Sequence, residues 1–339
     1  MPGDTPSTGS SGDSPLPVSA RHPVSLHISL SPRDVRHARA ILPHQLRLFG
    51  ESVEEVVLTI DTLGRSATEA GPELKELQTI VAPWSAVAPH TVIRLVDYSP
   101  ARRHALSEQF FARGMIPRQT YRVGPFHAYF DGWFATTQKY LFHLDSDMLL
   151  GGHPAGWMEE AIALLQADPS VFACNPFPGP PRSDFGINQP SQPLSAPRGA
   201  HSIDGFSSRI FFMARERLVN PAPKLPLKRA YWRGRLRGLL EGTSGIALPE
   251  DIIGEQMRRL GQHRVDFLGA VPGCWSLHPP FRNPEFFRRL EEIVTRVERD
   301  DFPAAQRGDY DLNDSVIDWS DARAAIARNR WWRRWRHPK

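Results

Sequence analysis

The sequence has little cysteine, no long apolar run and no strong charge of either sign. It contains only two cysteines, Cys174 and Cys274, both in apolar surroundings and neither in a CxxC pair. That argues against a disulfide framework or a zinc-thiolate site. No stretch approaches the roughly 20 consecutive apolar residues that a membrane-spanning helix needs. The N-terminus lacks the basic start and apolar run of a secretory signal. These absences predict a cytoplasmic protein. Basic residues exceed acidic ones only slightly, 41 against 37, for a net charge of +4. A nucleic-acid binder would carry a dense basic face instead, so no nucleic-acid partner is expected.

With 339 residues, of which 40% are hydrophobic, the chain can bury a substantial core. Residues 1–20 are Pro, Ser, Gly and Thr with few large apolar groups, which predicts a disordered tail. Order is expected from Val24, where Val24–Leu30 alternates as a strand. Ser31 and Pro32 then read as the cap and first turn of a helix ending near Gly50. Val56–Ile60 and Thr91–Val96 read as further strands, each followed by an aspartate, with a helix over 72–82 between them. Residues 126–139 and about 155–167 read as helices. Tyr140–Leu144, Val171–Cys174 and Ile210–Met213 read as strands, and 265–278 as strand and turn. Alternating strands and helices predict an α/β fold with a mainly parallel central sheet flanked by helices. Carboxylates at the C-terminal ends of such strands face the crevice where open α/β sheets bind ligands. The long Pro/Gly/Ser-rich segment 176–206 is expected to be functional or mobile.

The sharpest chemical signal is Leu144-Asp145-Ser146-Asp147, two carboxylates one residue apart at a strand end. Such a pair can converge on one divalent cation, and hard oxygen ligands suit Mg²⁺ or Mn²⁺. The same residues also fit a solvated turn. Further on, Pro249 opens a helix carrying Glu250 and Asp251. A carboxylate there suits a general base, but it would equally favour the positive end of the helix dipole. His278, at the end of Trp275-Ser276-Leu277-His278, suits a metal ligand or an ordinary surface or core histidine.

The run His127-Ala128-Tyr129-Phe130-Asp131-Gly132, a helix, and then Tyr140-Leu141-Phe142-His143-Leu144-Asp145-Ser146-Asp147 resembles the family 2 glycosyltransferases. The opening unit ending in Ile60-Asp61-Thr62 and the helix Glu250-Asp251…Arg258…Gly261 resemble the same family. The resemblance covers roughly residues 24–280. It implies a GT-A type fold, a nucleotide-diphospho-sugar donor and a divalent cation, Mn²⁺ or Mg²⁺. It places Asp61 at the donor's base, Tyr129 where the family carries Arg at the donor site, and Asp145 at the ribose or sugar. Asp145, Asp147 and His278 become the metal ligands, and Asp251 the base of an inverting transfer to a saccharide or lipid-linked acceptor. The domain expectation is a tail over 1–20, a GT-A domain over 21–290 and a helical basic-aromatic extension over 291–339. The chain departs from the family at Thr62, where a second acid is usual, and in lacking the Gly-Gly-Phe loop before the Glu250 helix.

Three other readings remain open: a retaining transferase that needs no Asp251, a nucleotidyltransferase, and a non-catalytic sugar- or lipid-binding relative. The nucleotidyltransferase would want a Gly-rich basic loop near the first strand, which is missing. Two segments mix arginine with aromatics, Lys228–Arg237 and Trp331–Arg336. Trp and Arg together favour the membrane interface, which admits peripheral contact with the inner membrane face; a solvated basic face for the first segment and a helix docked on its own domain for the second are the other readings. In the C-terminal one, a helix over 321–336 would align Ala324, Ala327, Trp331 and Trp335.

Overall fold

The computed structural model describes residues 21–63, 71–154, 156–240 and 242–328. The tail over 1–20 and the residues Trp331–Arg336 lie outside them. In chain order the strands are β1 (His22–Leu30), β2 (Val53–Ile60), β3 (His90–Leu95), β4 (Tyr140–Asp145), β5 (Leu149–Gly152), β6 (Val171–Pro178), β7 (Gln192–Pro193), β8 (His201–Ile203), β9 (Ile210–Ala214), β10 (His263–Phe267) and β11 (Cys274–Leu277). The α-helices are α1 (Val35–Phe49), α2 (Gly71–Val81), α3 (Pro100–Phe110), α4 (His127–Ala135), α5 (Trp157–Ala167), α6 (Arg215–Val219), α7 (Trp232–Leu240), α8 (Pro249–Arg259), α9 (Pro284–Arg299) and α10 (Ser320–Arg328).

The main sheet runs β3-β2-β1-β4-β9-β6-β10-β8-β7. Pairings β2–β3, β1–β2, β1–β4 and β6–β10 are parallel, and β9 runs antiparallel between β4 and β6. The expected mixed α/β class with a mostly parallel core sheet between helices is the one observed. β1 is third from the β3 edge, and Leu26, Ile28 and Leu30 are buried among residues of α1 and β2.

The chain leaves β1 toward β2 on one side and returns to β4 on the other, so the order reverses between β1 and β4. Open α/β sheets bind ligands at the strand carboxyl ends beside such a reversal. Register brings the key residues to that edge: Ser29 lies opposite both Thr59 and Asp145, and Asp61 N donates to Leu30 O at 2.7 Å. A smaller sheet adds the other partner. β11 pairs antiparallel with β5, matching Leu277 to Leu149, so His278 emerges beside the segment that carries Asp147.

α4 stops at Ala135, short of the expected 139. The Thr137 N–H is taken by the Glu55 carboxylate at 2.8 Å and that of Gln138 by Ser25 Oγ at 3.0 Å, so these donors leave the helix. α9 runs through residue 290 and packs with Trp275, Leu312, Ile317 and Trp319 in one cluster. Among the described residues no helix is long and apolar enough to cross a membrane.

Candidate active site

A cleft of about 250 Å³ opens at the reversal point, lined by Ser31, Asp34, Asp61, Tyr129, Asp145 and Arg282 among others. Three sequence-predicted donor-site residues, Asp61, Tyr129 and Asp145, therefore share one cleft. Asp61 Oδ1 accepts from the Tyr98 hydroxyl and from Leu63 N, each at 2.7 Å. Tyr98 itself stacks on His127, with ring centroids 4.5 Å apart. On the opposite wall the Tyr129 hydroxyl sits 2.9 Å from both oxygens of Asp145. Burial and then the charge of Asp147 push the Asp145 carboxyl up to about 7.

Asp147 lies deeper. Its Oδ2 accepts from Arg282 Nη2 at 2.7 Å and is 3.8 Å from His278 Nε2. Burial acts to raise its carboxyl, but the His278 and Arg282 charges outweigh burial and hold it at about 2. His278 Nδ1 bonds Asp311 Oδ1 at 2.8 Å, the carboxylate-backed arrangement that orients metal-binding imidazoles. Arg282 Nη1 reaches Asp34 Oδ1 at 3.2 Å, and Asp34 Oδ2 accepts from Ser31 N at 2.8 Å. One guanidinium thus ties the β1 turn to the DxD segment.

Under the cleft a buried chain of polar groups crosses three strands. His27 Nε2 is 2.8 Å from Thr59 Oγ1, its Nδ1 is 2.7 Å from His143 Nδ1, and His143 Nε2 is 3.5 Å from Asp145 Oδ1. Burial lowers both imidazoles, His143 to about 3, so the pair is neutral. His143 Nε2 has no hydrogen-bond partner among the described residues, so the hydrogen-bonded chain stops short of Asp145.

The donor set fits a hard divalent cation in part. Among the described residues Asp147 Oδ1 is buried with no hydrogen-bond partner, and His278 Nε2 faces the other oxygen, Oδ2. Among the described residues no three His, Cys, Asp or Glu side chains form a ready-made metal cage, and Arg282 stands against the second Asp147 oxygen. A site that borrows ligands from substrate phosphates is built this way: Mg²⁺ is usually held by one or two carboxylates plus phosphate oxygens.

Asp251 stands differently. It is exposed in the first turn of α8, with Oδ2 3.4 Å from Leu248 N. Its neighbour Glu250 turns inward and accepts from Ser208 Oγ at 2.8 Å. Ser208 precedes Arg209, whose carbonyl accepts from Asp145 N at 2.8 Å. Burial raises the Glu250 carboxyl. Asp34, Arg209 and Arg282 were absent from the sequence-based site. Arg209 and Arg282 lie outside helices and strands with no local pattern to mark them, and Asp34 carries only the local pattern of a helix cap with Ser31.

No family model matches the sequence, and no curated protein is similar to it. Solved structures similar to it include S. aureus TarS 1-349 in complex with UDP-GlcNAc, 12% identical, covering 83% of this chain and 68% of that one, at a TM-score of 0.36. A longer S. aureus TarS structure is also 12% identical over 83% of this chain but only 41% of its own, at 0.37. Glucosyl-3-phosphoglycerate synthase from Mycobacterium tuberculosis, in complex with Mn²⁺, UDP and phosphoglyceric acid, is 13% identical over 83% and 80% of the two chains, at 0.35.

Proposed function

We propose that the chain is a metal-assisted glycosyltransferase of the GT-A type, moving a sugar from a nucleotide-diphospho-sugar to an acceptor hydroxyl. The observation that carries this reading is a DxD at the sheet's reversal point whose Asp147 is buried, with Oδ1 unpartnered among the described residues and His278 Nε2 3.8 Å from Oδ2.

In this reading Asp61 meets the donor's base, and Tyr129 and Asp145 bind the ribose or sugar. Asp145, Asp147 and His278 hold a divalent cation, Mn²⁺ or Mg²⁺, which when bound neutralises charge on the leaving diphosphate. Arg282, paired with Asp147 and Asp34 before donor arrives, turns its guanidinium to the phosphates, for which bidentate donors are well suited. Asp251 is the general base of an inverting displacement. It takes the acceptor hydroxyl proton as that oxygen bonds to the anomeric carbon and the bond to the diphosphate oxygen breaks. The exposure of Asp251 suits a base that meets an acceptor arriving from solvent or from a surface. The acceptor is a saccharide or a lipid-linked group, reached on the cytoplasmic side.

The test is turnover of a panel of nucleotide-sugars with Mn²⁺ and with chelator. Metal-dependent release of nucleoside diphosphate supports the reading, and none from any donor refutes it. An inverted anomeric product supports Asp251 as base, whereas a retained one assigns the chain to the retaining class.

A further inference from the structure

Helix α7 is built inside out. Its buried residues are Gly234 and Gly238, one turn apart. Gly234 packs on Tyr121, where an added Cβ would lie 3.1 Å from the ring, and Gly238 packs on Gly245, where it would lie 2.9 Å from Cα. The large apolar side chains point the other way: Trp232 is 62% exposed, Leu236 38%, Leu239 76% and Leu240 53%. Their spacing of i, i+4, i+7 and i+8 is one continuous helical stripe. Tyr231, just before the helix, lies on the glycine side instead, its ring centroid 5.9 Å from that of Tyr121. A stripe with this spacing ordinarily faces a core, and here it faces solvent. Contiguous exposed apolar surface of that kind marks an interaction site.

The charge around the stripe selects the partner. Arg229, Arg233, Arg235 and Arg237 are exposed, and they form no ion pair among the described residues. Only Lys228 is tied down, to Glu255. Arg233 lies over the Trp232 ring, 5.1 Å from its centroid, within the roughly 6 Å reach of a cation–π contact. A second copy docking through the same face would set these arginines against each other, since such an interface is self-complementary. A surface of anionic headgroups over acyl chains accepts both halves: arginines meet phosphate, and Trp and Leu sink into the boundary.

The helix is joined to the cleft. Tyr121, against Gly234, donates its N–H to Ile246 O at 3.0 Å. It belongs to the same tight turn as Val123, which lines the cleft. The chain after α7 leads directly into α8 and Asp251.

We propose that the exposed face of α7 is an interfacial membrane-binding site for anionic lipid, seating the acceptor side of the cleft at the bilayer surface. The lipid contact follows from α7 alone and stands whether or not the chain transfers sugar. The experiment is flotation of the full chain with phosphatidylcholine vesicles, with and without phosphatidylglycerol, at low and high salt. The wild-type protein floats only with anionic vesicles and is released by salt. Each cation at such a surface is worth about fivefold in binding, so Arg233→Gln/Arg235→Gln/Arg237→Gln weakens it on the order of 100-fold. Leu239→Ser/Leu240→Ser weakens it at least about tenfold through lost apolar burial. Leu239→Ser alone, at the most exposed position of the stripe, gives a smaller loss in a protein with an unchanged melting temperature. A wild-type protein that stays soluble with anionic vesicles at low salt overturns the proposal, as do variants that float like wild type. Concentration-dependent dimerisation without vesicle binding, abolished by Leu239→Ser/Leu240→Ser, overturns it too and assigns the face to a second copy.

Discussion

The cleft at the ends of β1, β2 and β4 and the outer face of α7 break the usual distribution of side chains in opposite senses. Asp34 and Asp61 are buried in the cleft lining, Asp147 and His278 are buried next to it, linked to the lining through Arg282, and Asp147 keeps one oxygen unpaired among the described residues. On α7, Trp232, Leu239 and Leu240 lie open to water while glycines face inward. Buried polar groups and exposed apolar patches are the informative exceptions to the inside–outside rule. A third region shows what an unremarkable exception looks like. Arg264 and Asp266 are buried too, but they meet side by side, with Nε–Oδ1 at 2.6 Å and Nη2–Oδ2 at 2.9 Å. Full satisfaction reads as structure, whereas an orphaned oxygen next to a cleft reads as a place for a ligand.

That comparison sets the order of expected effects. Asp147→Ala is expected to lower metal-dependent turnover by roughly a thousandfold or more, the several kcal/mol that a metal's charge stabilisation supplies, with the fold intact by circular dichroism. Initial rates at saturating Mn²⁺ check it. Asp251→Asn is expected to cut kcat by roughly 10²–10⁴-fold with donor affinity nearly unchanged. Glu250→Gln, which loses only a charge accepting from Ser208, is expected to cost less. The reverse order would move the base to Glu250. Asp266→Ala strands the buried Arg264 charge and is expected to destabilise by about 3–5 kcal/mol in urea. Gly132→Ala drives a Cβ into His27 and Thr59, at an expected cost of roughly 1–3 kcal/mol from overpacking. Leu239→Ser is the smallest, within about 0.5 kcal/mol of wild type. A large loss there would mean that the α7 face is covered by the chain itself.

Much of the cleft side was legible in the sequence because its signals are local. Val24–Leu30, Val56–Ile60 and Tyr140–Leu144 carry their periodicity in a few residues, and each delivers a polar residue to its carboxyl end. Parallel pairing then brings Asp61 and Asp145 to one edge, and Tyr129 joins them from α4 through its hydroxyl on Asp145. The meeting of Asp147 with His278 depends on β5 pairing with β11, and β5, Leu149-Leu150-Gly151-Gly152, is too short to read by pattern. Arg282 and Asp34 meet through a contact spanning most of the chain. On α7 the pattern misleads: Trp232, Leu236, Leu239 and Leu240 have core spacing, and only the close packing of Gly234 and Gly238 turns the stripe outward. The expected C-terminal helix is described as far as Arg328, and its Trp331 and Trp335 lie outside the described residues.

The central claim, that the unpaired Asp147 oxygen is reserved for a cation bound together with a diphosphate, has a direct measurement. Nucleoside diphosphates are titrated calorimetrically into wild-type protein and Asp147→Ala, with and without Mn²⁺. Mn²⁺ is expected to strengthen binding of at least one nucleotide to the wild type by about tenfold or more, and this gain vanishes in Asp147→Ala while weak metal-free binding persists. An equal Mn²⁺-dependent gain in both proteins, or none in the wild type, would contradict it.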